Sequence, residues 1–176
     1  MTVTELSIQD AYLVTDKFFE DSRGRFTEAW ENTQFKKNNI DFSPSNSCFS
    51  YNTRKFTLRG LHYQQEPFGQ SKLVTCVAGS IYDVILDLRK SSAGYLKWQA
   101  IEIKAFTGKA VFIPKGCAHG FVTLEENVVV SYLIEGDYNA GAAKAVRWND
   151  PAIKINWPTD NPVISEKDSN ADLITL

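Results

Sequence analysis

Between residues 72 and 134 the chain consists almost entirely of short apolar runs, rich in β-branched and aromatic side chains and cut at close spacing by glycine, proline or polar turns. A helix needs a longer stretch with a 3.6-residue repeat, and none recurs there. The run at 72–78 meets Gly79-Ser80 and then a second run at 81–88. Residues 98–103 alternate Trp, Ala and Glu with Gln, Ile and Ile, and residues 110–113 lead into Pro114-Lys115-Gly116. Residues 121–124, the turn Glu125-Glu126-Asn127 and the run 128–134 read as a hairpin. Many short strands separated by turn residues specify an all-β chain, an antiparallel sandwich or barrel. One short, aromatic-rich helix is expected over residues 28–38. With no repeat and no low-complexity linker, the 176 residues read as a single domain. From residue 159 onward the chain is polar and irregular, and composition leaves open whether that tail frays or packs.

Charge and cysteine usage narrow the partners. The net charge is -2, with 43% hydrophobic and 23% charged residues, which offers no general attraction for nucleic acid or an anionic membrane. Any anionic ligand must be held by a local basic cluster. No stretch approaches the roughly 20 apolar residues of a membrane span, and the start lacks a basic segment followed by an apolar run, so no signal peptide is expected. Three cysteines, Cys48, Cys76 and Cys117, are an odd number without a CxxC pair, which points to a reducing cytoplasm. Neither GxGxxG nor GxxxxGK[ST] is present.

The two histidines, His62 and His119, are the natural candidates for proton chemistry. Two lone imidazoles so far apart make a poor metal site, and no metal is expected. A lone histidine is more often a satisfied structural residue than a catalyst. His62, however, follows Arg59 by three positions in LRGLHYQ. On a regular strand Arg59 and His62 would face opposite sides, so they converge only if the chain bends near Gly60. Lys72 opens an apolar strand, where it is either a solvated edge residue or an ammonium aimed into a barrel mouth, able to stabilise an oxyanion. Val128, Val130 and Tyr132 share one face, which should be the interior; Tyr132 is then a core tyrosine with a satisfied hydroxyl or a phenol directed into a cavity. Asp83 and Asp87 share a face of another apolar strand, and a buried carboxylate needs a partner such as a histidine. Arg23, Arg59, Lys72, Arg89, Lys115 and Lys167 could hold a diphosphate if several converge.

Taken in order, these segments resemble the dTDP-4-dehydrorhamnose 3,5-epimerase family, whose fold is a cupin-like jelly roll with a few short helices. The resemblance rests on DSRGRF at 21–26, LRGLHYQ at 58–64, Lys72, GSIYDV at 79–84 with DLR at 87–89, IPKGCAHGF at 113–121, WNDP at 148–151, INWP at 155–158 and SEKD at 165–168. It implies cofactor-free epimerisation at C3 and/or C5 of a nucleoside-diphosphate-4-keto-6-deoxy sugar, in deoxysugar biosynthesis for cell-surface polysaccharide. In that chemistry the C4 ketone acidifies the protons at C3 and C5. The resemblance implies that His62 is the base, oriented by Asp168, that Lys72 stabilises the enolate, and that Tyr132 returns a proton from the opposite face. It places His119, backed by Asp83, near the sugar, Arg59 and Lys167 at the diphosphate, and Tyr138 on the nucleotide base. It also implies a homodimer with exchanged N-terminal strands, which would bring Arg23, Phe26 and Glu28 to the partner's nucleotide, and a tail at 159–176 folded back on the barrel.

The chain departs from the family where a QxNxS pattern usually precedes LRGLHYQ. The matching positions are read here as Ser47, Phe49 and Tyr51, so the nucleotide or the grip on its diphosphate is expected to differ, with a CDP- or GDP-linked sugar as one option. Alternatives are an epimerase that inverts only C3 or only C5, a sugar-nucleotide 3,4-ketoisomerase, a silent nucleotide-sugar-binding cupin and a metal-dependent cupin oxygenase.

Overall fold

The computed structural model describes residues 1–174, and within them the alternation of apolar side chains sorts the strands into two facing sheets. The six-stranded sheet has the order β1 (Thr2–Glu5), β2 (Tyr12–Thr15), β10 (Lys109–Ile113), β7 (Ser71–Ala78), β12 (Val128–Glu135) and β5 (Asn46–Asn52). The five-stranded sheet runs β13 (Ala143–Ala145), β6 (Leu58–Gln64), β11 (Cys117–Thr123), β8 (Ser80–Asp87) and β9 (Trp98–Lys104). A separate hairpin pairs β3 (Phe19–Asp21) with β4 (Gly24–Phe26), and all six of its residues are exposed. Two antiparallel sheets packed face to face form the expected jelly-roll barrel. No described helix is long and apolar enough to cross a membrane.

Strand periodicity produces three apolar layers. Val74, Cys76, Val111, Val128 and Val130 from one sheet meet Ile81, Ile85, Ile103 and Phe121 from the other in the central core. Leu73, Ala110 and Phe112 face outward, under the short helix α1 (Asn32–Lys37) through its buried Phe35. Val84, Leu86 and Ala118 face outward on the other sheet, beneath Ile153 and Trp157 of the C-terminal segment. The central strands of both sheets are therefore covered on both sides, which is why they read as nearly continuous apolar runs.

Two readings of the sequence are corrected. The expected hairpin around Glu125-Glu126-Asn127 is a passage between sheets. β11 is flanked by β6 and β8 in one sheet, and β12 by β5 and β7 in the other, so neither has a free edge for its sequence neighbour. The helix is also shorter than the range 28–38. It begins after Glu31, whose carboxylate accepts from the backbone N–H groups of Thr33 and Gln34 and so caps the first turn.

The feature that positions the site is a bulge in β6. His62 pairs with His119 and Arg59 with Phe121, so three steps along β6 oppose two along β11. His119 and Phe121 share a face, and the extra residue therefore turns Arg59 and His62 to that same inner face. Gly60 has φ +134, and a Cβ added there would run into Gly120 Cα and lie 3.0 Å from the His119 carbonyl oxygen. Only two glycines allow this approach. Gly60→Ala should cost at least about 2 kcal/mol in urea unfolding, from steric overlap and a left-handed φ. A loss under about 0.5 kcal/mol would mean that the strands can separate without penalty.

Candidate active site

The inner faces of the two sheets carry the polar residues that interrupt the core. Arg59 and His62 on β6, His119 on β11, and Lys72 and Tyr132 on β7 and β12 line one cavity of about 470 Å³. His62 and Lys72 also border a second cavity of about 230 Å³, together with Tyr138 and Lys167. A cavity of about 920 Å³ lies elsewhere, and neither histidine lines it. Two of its cations are already paired, Arg89 with Asp87 and Asp10, and Lys115 with Glu135. The chemistry, rather than the volume, marks the smaller cavities.

Two histidine–carboxylate pairs stand side by side. His62 Nε2 is 2.7 Å from Asp168 Oδ1, and the Gly60 N–H donates to Asp168 Oδ2 at 3.3 Å. The carboxylate accepts, so the Nε2 position carries the hydrogen and Nδ1 is left free to take a proton. Burial pushes the Asp168 carboxyl up, but the hydrogen bond and charge of His62, the Gly60 N–H and the Lys167 charge outweigh it and hold it below its ordinary value. The His62 side chain is 45% exposed and can meet a ligand. His119 Nε2 lies 2.7 Å from Asp83 Oδ1, and this second pair is almost wholly buried. The second carboxylate oxygen of Asp83 has no hydrogen-bond partner among the described residues.

Across the cavity, burial lowers the Lys72 ammonium to about 8, with the charge of Asp83 opposing the shift. Burial, with Asp83 adding to it, pushes the Tyr132 phenol well above its ordinary value. Its ring meets that of His119 edge to face at 6.1 Å. Tyr132 therefore remains a neutral proton donor at physiological pH.

The tail reaches the site in an ordered way. Val163 bridges Thr57 next to β6, and Ser165 caps the short helix α2 (Glu166–Ser169) by accepting from the Asp168 N–H. This docking sets Asp168 against His62 and Lys167 beside the second cavity. Arg23, Phe26 and Glu28 border neither cavity; they lie on or just after the exposed hairpin, where Arg23 pairs with Asp21 at 2.6 Å and Phe26 rests on Phe19.

The register of β5 sets which of its side chains face inward. Cys48 pairs with Tyr132, Ser50 with Val130 and Asn52 with Val128. By strand alternation Cys48, Ser50 and Asn52 share the inner face, whereas Ser47, Phe49 and Tyr51 belong to the other face, although Phe49 and Tyr51 also border the cavity. Sequence reasoning passed over Asn52 on this inner face. Sequence reasoning also passed over Gln64, which accepts from the Asn139 N–H at 2.7 Å and donates to the Asp137 carbonyl at 2.9 Å, clasping the loop on both sides of Tyr138. The signal for both was present: an amide at the end of each strand, with too much polarity for a buried position unless it is fully bonded.

A jelly roll whose two sheets face each other with a histidine–carboxylate pair on one and a buried ammonium and phenol on the other is an enzyme of acid–base chemistry. The chain belongs to the dTDP-4-dehydrorhamnose 3,5-epimerase family, a family of isomerases, and residues 5–175 match that family's description. The dTDP-4-dehydrorhamnose 3,5-epimerase of Sinorhizobium fredii is 40% identical, over 97% of this chain and 88% of the relative. A solved structure of the Bacillus anthracis dTDP-4-dehydrorhamnose 3,5-epimerase, with TDP and PPi bound, superposes with TM-score 0.95 at 36% identity, covering 98% of this chain and 99% of the other. ChmJ, a 3'-monoepimerase of Streptomyces bikiniensis solved with dTDP-quinovose, has TM-score 0.89 at 30% identity, covering 96% and 85%.

The depressed Asp168 carboxyl stabilises the fold above the ordinary carboxylate pKa, and that contribution is lost as pH falls through the lowered value. Asp168→Asn should therefore cost about 1–3 kcal/mol at pH 7 in urea unfolding, with the gap to the parent closing below about pH 4. A gap independent of pH would contradict the charge pairing.

Proposed function

We propose that the chain epimerises a nucleoside-diphosphate-4-keto-6-deoxy sugar at C3 and C5 through an enolate, without a cofactor. The observation that carries this reading is the placement of His62 and Tyr132 on opposite sheets facing one cavity. Inversion requires removal of a proton from one face of the ring and its return to the other, and a base and an acid on facing sheets meet that requirement. Nδ1 of His62 takes the proton from carbon, and Asp168 stabilises the resulting imidazolium. The electron pair moves onto the C4 oxygen, where the Lys72 ammonium offsets the new charge. Tyr132 delivers a proton from the opposite face; solvent then reprotonates Tyr132 and takes the proton from the His62 imidazolium, which restores both groups. His119, held by Asp83, hydrogen-bonds the sugar.

Arg59 and Lys167 grip the diphosphate and Tyr138 stacks on the base. Nucleotide binding is supported by the TDP of the Bacillus anthracis relative. Arg23, Phe26 and Glu28 act on a partner subunit: the exposed hairpin that carries this segment has its aromatic side chains uncovered, which suits exchange within a homodimer. Three free thiols suit the cytoplasm. A second reading, inversion at C3 alone, is favoured by the likeness to the monoepimerase ChmJ.

In heavy water with dTDP-4-keto-6-deoxyglucose, proton NMR should record deuterium at both C3 and C5. Exchange at C3 alone would select the second reading, and none at either would reject both for this sugar. His62→Asn should lower exchange by roughly 10²- to 10⁴-fold. With a Lys72 pKa of about 8, kcat/KM should decline above about pH 8 as the ammonium loses its charge, and Lys72→Arg should lack that decline.

A further inference from the structure

Arg59 is exposed, yet one end of its guanidinium is fixed. Its Nε–H donates to Asn52 Oδ1 at 2.8 Å. Asn52 is only 3% exposed and uses its whole amide: Nδ2 donates to the carbonyls of Ser50 and Val128, both at 3.2 Å, and Oδ1 also accepts from the Ser50 hydroxyl at 3.2 Å. An asparagine can make about four such bonds, so its orientation is determined from every side. Among the described residues no carboxylate forms an ion pair with Arg59, and both terminal amino groups of the fork lack a hydrogen-bond partner. Every other arginine that is pinned by a side chain, at 23, 25 and 89, is pinned by a carboxylate.

We infer that Asn52 is a positioning residue that aims the free end of the Arg59 fork at the substrate diphosphate while leaving its charge unspent. A neutral amide oxygen orients the guanidinium through Nε as well as a carboxylate would. A carboxylate at the same place would also cancel the field that an anion must feel, and would compete with phosphate for the same donors. Because Asn52 ends β5 and Arg59 lies near the start of β6, this bond also ties the edge strand of one sheet to the inner face of the other. The inference rests on the proposal that Arg59 binds the diphosphate.

The test compares dTDP with thymidine by calorimetry on the full chain, and KM with kcat on the sugar nucleotide. Arg59→Gln first sets the scale. If it leaves dTDP affinity unchanged, the diphosphate role of Arg59 and this inference both fail. If it weakens dTDP, Asn52→Asp should weaken dTDP about tenfold or more, leave thymidine unchanged, and raise KM with kcat within about twofold. Combined with Arg59→Gln it should add no further loss. Asn52→Ala, which removes the acceptor, should lower dTDP affinity several-fold in the same selective way and serves if the Asp variant fails to fold. Variants of Asn52 that bind dTDP as the parent does, or that lose thymidine and dTDP alike, would overturn the inference.

Discussion

The contact of two backbones at Gly60 and Gly120 governs the rest of the site. A regular strand would send Arg59 and His62 to opposite sides, one into the barrel and one beneath the C-terminal segment. The bulge in β6 turns both inward, and it exists because neither strand carries a Cβ at the crossing. Leu61, between them, faces outward into the apolar layer with Val84 and Leu86, so the same distortion that aims the imidazole anchors the strand behind it. The Asp168 carboxylate bonds both the Gly60 N–H and His62, which couples the distorted backbone to the orientation of the ring.

Enclosure between two sheets then sets the electrostatics. Lys72, Asp83, His119 and Tyr132 replace apolar residues on the inner faces, where water is scarce and each charge is felt strongly. Burial depresses the ammonium and raises the phenol, and Asp83 acts on both. One buried carboxylate therefore holds His119, keeps Lys72 more readily protonated and adds to the burial that keeps Tyr132 from ionising. The two histidines differ in exposure. His62 reaches the cavity half-exposed, whereas His119 is packed against its carboxylate and the aromatic rings of Phe121 and Tyr132.

Two anchors of cavity-lining side chains come from strand ends rather than strand centres. Asn52 closes β5 and fixes Arg59, and Gln64 closes β6 and clasps the loop that carries Tyr138. Strand ends are where backbone pairing runs out, so a side-chain amide there can serve both the ladder and a neighbouring functional residue. The exposed hairpin at residues 19–26 is the opposite case: among the described residues its strands pair only with each other, and it borders neither cavity.

The sequence by itself determined the strands, their inward and outward faces and the short list of groups able to move protons. These are properties of periodicity and residue chemistry, and they survive without knowledge of the partner strands. The inward face of Tyr132 and the need of Asp83 and Asp87 for partners were legible in that way. The tertiary structure decided what depends on distant pairing. It assigned β11 and β12 to different sheets, although a turn joins them. It set the register of β5 and so placed Cys48, Ser50 and Asn52 on the inner face. It brought Asp168 to His62 across 106 residues of chain, through a tail whose composition looked irregular. A strand's alternation is fixed locally, but a shift of one residue inverts every face, and only the neighbouring strand can specify that shift.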